Sequence, residues 1–409
     1  MKSKQKSISK NKRHLVTIDQ ISKKTSDAPF GTQLKSKDYA ESGIPVIQGR
    51  NIKENKFHWN NKKYTSKEKF DSLPRSHCSK GDLIFPKIGT IGNVCILPSI
   101  EGNEQCILST NSMSCSINEK LADPNYIYYY FCQKKIHDYI NSTSRGSTQP
   151  IFNYGMLKAF SIEIPSLEIQ LKVSKILQEL DSKIENLQNQ NIILDQMAQT
   201  IFKSWFVDFD GVTEFEDSEL GQIPKGWEIK KLIEEISVTY GFPFKSELFN
   251  SEKGIPIIRI RDLKNNFSDT LTTELCDKKF HIFPGDVLLG MDGEFNTSVW
   301  LGEESLLNQR VCKLFLKNKI LSNLLILFLV KQRFKEYENK ISGTTVIHLS
   351  KSDIEELKII FPNDEVLKKF NKFSESLLEK LIKNKNSIFA LAKTRDALLP
   401  KLMSGEIRV

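Results

Sequence analysis

Gly43-Ile44-Pro45-Val46-Ile47 returns 211 residues later as Gly254-Ile255-Pro256-Ile257-Ile258, and this return decides how the whole chain is read. Three more markers follow in the same order. Gly81-Asp82-Leu83-Ile84 returns as Gly285-Asp286-Val287-Leu288, Gly146-Ser147-Thr148 as Gly343-Thr344-Thr345, and Pro165 as Pro362. Each marker alone is turn chemistry. Collinear order with an offset that shrinks from 211 through 204 to 197 is the signature of two homologous units with shorter loops in the second. A period near 200 residues means duplicated domains, not a solenoid.

Length agrees, since 409 residues is about two or three domains. Hydrophobic residues make up 39% and no run is long enough to span a bilayer; Ile320 to Val330 is the strongest apolar stretch and is too short. The basic N-terminus, residues 1–14, is followed by no apolar core of a signal peptide and reads as a solvated, disordered tail, against the alternative of a basic arm along a phosphate backbone. The seven cysteines are scattered, which argues against a disulfide framework or zinc site and for a reducing, cytoplasmic setting. The net charge of +9 suits a polyanionic partner without demanding one.

Two kinds of segment alternate within each copy. Residues 15–165 and 227–362 hold short runs of Ile, Val, Phe and Tyr punctuated by Gly, Pro, Asn and Asp, the pattern of a mixed domain built largely from short strands. Helices are predicted inside them over Tyr126 to Tyr139 and Leu321 to Tyr337. Residues 166–208 and 363–409 read differently. Leu167 to Phe206 has no Pro or Gly, and its apolar residues Ile169, Val173, Ile176, Leu180, Ile184, Leu187, Leu194, Met197 and Ile201 step by threes and fours. The same register, 197 residues on, gives Val366, Phe370, Phe373, Leu377, Leu381, Asn384, Leu391, Thr394 and Leu398. Asn191 and Asn384 fall on this seam as register pins. The expected fold class is therefore α+β: two duplicated mixed domains with two long helices forming an antiparallel coiled coil, against the alternative of helices packed separately. Residues 209–226 read as a linker.

Three sets of residues are candidates for contacting a nucleic acid. Alternation in Ile258-Arg259-Ile260-Arg261 predicts a strand with both arginines on one face, and Gln48 and Arg50, followed by Asn51, hold the matching positions in the first copy. Arginine can pair with guanine, and glutamine or asparagine with adenine. Lys87, Thr90 and Asn93 after the first Gly-Asp, with Asp292 and Asn296 after the second, form the next set. Arg145, Ser147, Thr148 and Gln149, matched by Thr344, Thr345, His348 and Lys351, form the third, where small hydroxyls beside glycine favour close approach to phosphate. Each set reads equally well as plain turns and solvated charge. No Asn-Pro-Pro-Tyr, Gly-Lys-Ser/Thr phosphate loop or acidic nuclease cluster is present, and His77 beside Cys78 is no convincing metal pair. No catalytic or metal residue is assigned.

The opening Gly221-Gln222-Ile223-Pro224-Lys225-Gly226-Trp227 resembles that of the specificity subunits of type I restriction-modification enzymes. So do Ile164-Pro165-Ser166-Leu167-Glu168-Ile169-Gln170 at a helix start and the closing Leu398-Leu399-Pro400-Lys401-Leu402-Met403-Ser404-Gly405-Glu406-Ile407. Two departures stand: Lys12 occupies the place of Trp227 in the first copy, and Pro362-Asn363-Asp364-Glu365-Val366-Leu367 lacks the Glu-x-Gln of the first helix start. The resemblance implies two target recognition domains that each read half of a split double-stranded DNA site, with the paired helices as a ruler. It also implies two methyltransferase subunits and translocating endonuclease subunits as partners, with S-adenosylmethionine, ATP and Mg held there and none in this chain. Two other functions stay open at this point: a coiled-coil scaffold whose globular ends bind protein, and an enzyme whose motif is not apparent.

Overall fold

The computed structural model describes residues 13–31, 33–143, 151–293, 295–317, 322–340 and 349–409, of which 335–340 as backbone only. The chain divides into two compact units, Met1–Asp181 with Lys393–Val409, and Ser182–Ala392. The end of the chain thus belongs with its beginning. The basic tail falls almost wholly outside the described residues.

The duplication is visible strand by strand. The first unit carries a four-stranded sheet in the order Cys95–Ile96, Leu83–Pro86, Ser112–Ile117, Ser22–Asp27. The second unit repeats that order with Thr297–Val299, Val287–Gly290, Val311–Leu316, Ile236–Tyr240. Five-stranded sheets repeat likewise: Tyr39–Ala40, Tyr64–Thr65, Ile44–Ile47, Gln105–Leu108, His77–Ser79, and Phe249–Asn250, Leu271–Thr272, Ile255–Ile258, Ser305–Leu307, His281–Ile282. In both, the Ile-Pro strand runs parallel to its neighbour, Val46 opposite Ile107 and Ile257 opposite Leu306. The repeated glycine has a steric cause. A Cβ on Gly43 or Gly254, both at positive φ, would run into the carbonyl of Thr65 or Thr272 on the adjacent strand.

Each domain closes with a strand before a long helix: Ser161–Ile164 pairs with His14–Thr17, and Lys358–Phe361 with Glu228–Lys231. The helices then run over Leu167–Phe206 and Asp364–Ser404. In the first unit, Val173 and Leu177 share a buried core with Leu399, Leu402 and Met403, so the start of one helix lies beside the end of the other. In the second unit, Ala198, Phe202 and Phe206 share a core with Leu367, Phe370, Leu377 and Leu381. Both units therefore pair the helices antiparallel. The expected seam holds at Val173, Ile184, Leu187, Phe370, Leu377 and Leu381, all buried, with Ile176, Leu180 and Phe373 partly so. It fails at Met197, which is 46% exposed while Ala198 is 1% exposed. A 3.6-residue helix drifts about 20° per heptad against a strict seven-residue repeat.

The two seam asparagines meet. Asn384 donates to Asn191 Oδ1 at 2.9 Å, and Asn191 donates to the carbonyl of Leu381 at 3.4 Å. The stretch expected as a plain linker contains a hairpin, Phe215–Ser218 with Gly221–Pro224. It delivers Trp227 against Phe206 and Phe209 at the end of the first long helix, with ring centroids 5.8 and 5.5 Å apart. The predicted helix over Tyr126 to Tyr139 is two helices, Pro124–Cys132 and Lys134–Thr143, broken at Gln133, whose backbone is extended.

The asparagine pair makes a stability prediction. Asn384→Leu should cost about 1–2 kcal/mol by stranding the half-buried carboxamide of Asn191, and Asn191→Leu with Asn384→Leu together should recover it. Denaturant unfolding followed by helical circular dichroism measures the cycle; strictly additive single and double variants would show that the two amides are not coupled.

Candidate nucleic-acid interface

The strand-face reading of the first candidate set is corrected. The strands end at Ile47 and Ile258, and the chain turns at once into short helices, Gly49–Asn51 and Ile260–Leu263. The cause lies three residues downstream. The Asn51 carboxamide oxygen accepts the backbone N–H of Gln48 at 2.8 Å, and the Asp262 carboxylate accepts that of Arg259 at 3.0 Å. This local capping competes with the ladder and wins.

That turn sorts the candidates. Gln48 is 7% exposed, its Oε1 enclosed without a hydrogen-bond partner, and Asn51 is buried and donates to the carbonyl of His58 at 2.8 Å. Arg259 points back onto Asp262 at 2.9 Å. Arg50 is exposed with no carboxylate partner among the described residues, and the Arg261 side chain is 71% exposed, its Nε 4.0 Å from Asp262. The outward pair is therefore Arg50 and Arg261, at equivalent positions of the two turns.

The second set lies beside the first but is largely spent on holding the loop. Lys87 is ion-paired with Asp27. Thr90 donates to the carbonyl of Ile52 at 3.0 Å, while Asn93 accepts from the backbone of Asn55 at 3.0 Å and donates to the carbonyl of Thr90 at 2.9 Å. These bonds dock a hairpin found only in the first copy among the described residues, Ile52–Lys53 with Lys56–Phe57, whose turn residues Glu54 and Asn55 take positive φ. In the second copy Asp292 pairs with Arg310 at 3.3 Å, and the carbonyl of Asn296 accepts from Gly290 at 3.0 Å.

Of the third set, Arg145, Ser147, Thr148, Gln149, Thr344, Thr345 and His348 lie outside the described residues. Lys351 opens a short helix and pairs with Glu355 at 3.5 Å, its side chain 70% exposed. Both segments nonetheless re-emerge at the same place. Phe152 donates to the carbonyl of Lys87 at 3.1 Å, and Leu349 to that of Met291 at 2.8 Å. Lys87 and Met291 donate in turn to the carbonyls of Asn111 and Arg310. In each copy the chain just after the third segment, at Phe152 or Leu349, thus meets the loop after Gly-Asp, beside the strand-end turn. Sequence reading missed Asn111 and Arg310, whose collinear position 199 residues apart, just after the Leu108 and Leu307 strands, was the available signal.

The Gly-Asp carboxylates cap turns: Asp82 accepts from the backbone of Ser79 and Asp286 from that of Phe283, both at 2.8 Å. Burial pushes the Asp82 carboxyl above the usual range, opposed by its bonds from Ser116 and Ser79. His77 stacks on Phe70 with ring centroids 3.6 Å apart, and burial pushes the thiols of Cys106, Cys132 and Cys312 up to about 12, away from nucleophilic use. Among the described residues no helix is long and apolar enough to cross a membrane.

Comparison with known proteins supplies the context. Residues 16–195 and 224–388 match the family described as the type I restriction modification DNA specificity domain. The chain is 34% identical over 306 residues to the type I restriction enzyme MjaIX specificity subunit of Methanocaldococcus jannaschii, covering 69% of each chain. It is 25% identical over 399 residues to the HindI specificity subunit of Haemophilus influenzae, covering 80% of this chain and 87% of that one. A crystal structure of the S subunit of a type I restriction-modification system from M. genitalium shares the fold, with TM-score 0.60 over 98% of this chain and 99% of that one at 16% identity. With two matched segments, each taking in one repeated domain and part of the long helix after it, the chain belongs to the type I restriction-modification DNA specificity family.

Proposed function

We propose that this chain is the specificity subunit of a type I restriction-modification complex in which each domain reads one half of a bipartite, gapped DNA target. One observation carries the reading. The two domains repeat the same four- and five-stranded sheets, yet exposed side chains beside the equivalent turns differ, Asn111 against Arg310. A conserved frame with altered surface chemistry is what two readers of different half-sites require. Arg50 and Arg261 are the residues proposed to reach base edges or phosphates. The helix pair serves as the scaffold for two methyltransferase subunits and for endonuclease subunits, which bring S-adenosylmethionine, ATP and Mg. The setting is the cytoplasm.

Selection from a randomised duplex library tests the division of labour. Arg50→Ala and Arg261→Ala should each relax one half-site, at a cost of about 1–3 kcal/mol for a bidentate base contact, and leave the other half unchanged. Loss of selectivity in both halves from either substitution contradicts two independent readers.

The chain is also proposed to carry no catalysis of its own. Purified chain incubated with S-adenosylmethionine and target duplex should transfer no methyl groups until a methyltransferase subunit is added. Methylation by the chain alone overturns this part of the proposal.

A further inference from the structure

Within the second unit, a cleft of about 1080 Å³ opens where the recognition domain meets the helix pair. Three amines from three separate elements line it: Lys264 just after the Arg261 turn, Lys331 on the Asn323–Lys340 helix, and Lys385 on the second long helix. None has a carboxylate partner among the described residues, and Asp195 is the one carboxylate among the described lining residues. Asp195 is itself hydrogen-bonded by Gln199 at 2.6 Å. Lys385 reaches only the carbonyl of Asn265, at 3.4 Å. Burial lowers the pKa of its ammonium, the response of a cation without a counter-ion. The hydroxyl of Ser298, on the same cleft, is enclosed and makes no hydrogen bond.

The half-buried Lys385 amine carries a desolvation cost that an anion would relieve, and the exposed Lys264 and Lys331 amines add like charge to the same cleft. The cleft also continues the candidate interface, since Asn296 lines it and Lys264 lies three residues beyond Arg261. We infer that this cleft holds a stretch of DNA phosphate backbone beside the half-site read by the second domain, with Lys264, Lys331 and Lys385 as its anchors. The inference rests on the DNA-reading function proposed above and adds to it a contact made by the second long helix, which makes that helix part of the DNA-binding surface as well as a scaffold.

The test compares the full-length chain with Lys264→Gln, Lys331→Gln, Lys385→Gln combined, on a duplex bearing the selected target and on one lacking it, across a salt series. Each lost phosphate contact should lower the log–log salt slope by about 0.9, so that between about 50 and 200 mM salt the triple variant should lose roughly 40-fold less affinity than the wild type. The ratio of target to non-target binding should stay unchanged, and the Lys→Arg triple should keep the wild-type slope. An unchanged slope overturns the inference while leaving the DNA reading intact, and a changed target preference overturns it in favour of base contacts. Competition by ATP for the wild type but not the Gln triple would assign the cleft to a free nucleotide and likewise overturn it. A wild-type chain that binds no duplex in a salt-dependent manner overturns both the inference and the function on which it rests.

Discussion

Neither recognition domain completes its core alone. The first takes Val173 and Leu177 from the start of one long helix and Leu399, Leu402 and Met403 from the end of the other. The second takes Phe370 and Leu377 from the start of its own helix and Ala198, Phe202 and Phe206 from the end of the first. Burying each such Leu or Phe contributes about 1.5–3 kcal/mol, so each domain depends on both helices for a substantial part of its stability. This shared burial explains why residues 393–409 belong to the first compact unit although they are last in sequence. It also explains the closing motif: Leu402 and Met403 fill the core, and Gly405, at positive φ, ends the helix.

Polar contacts then fix what burial alone would leave free to slide. Asp181 accepts from Tyr129 and from Arg395, both at 2.7 Å, tying the first domain to both helices at one point. In the second unit the amide of Ser322 donates to Asn371 at 3.0 Å, as that of Asp123 donates to Gln170 at 2.9 Å in the first. The departure noted at the second helix start is thus met by a different side chain one turn later. Hydrogen bonds are directional where apolar contact is not, and together with the Asn191–Asn384 pair they specify register.

The duplication and the long helices were legible because each leaves a periodic trace: collinear Gly and Pro markers for one, and a 40-residue stretch free of Gly and Pro for the other. The candidate surface was legible only in part. Position matching found equivalent turns in the two copies, but alternation misjudged the side chains, because a carboxamide at Asn51 and a carboxylate at Asp262 bend the chain where period-two reasoning keeps it straight. Asn93 looked free to bind, yet its bonds to Asn55 and Thr90 commit it to the loop. The Asn55–Asn93 contact joins residues 38 apart in sequence and leaves no periodic signal. The cleft with Lys264, Lys331 and Lys385 was illegible for the same reason, since its amines converge from three distant segments.

The central claim is that two similar domains in one chain read two different half-sites. Genome-wide methylation profiling of the host strain, with and without this gene, tests it most directly. The account predicts one methylated motif that disappears with the gene, made of two unlike specific halves separated by bases of any identity. A continuous motif, or a methylation pattern indifferent to loss of the gene, would contradict it.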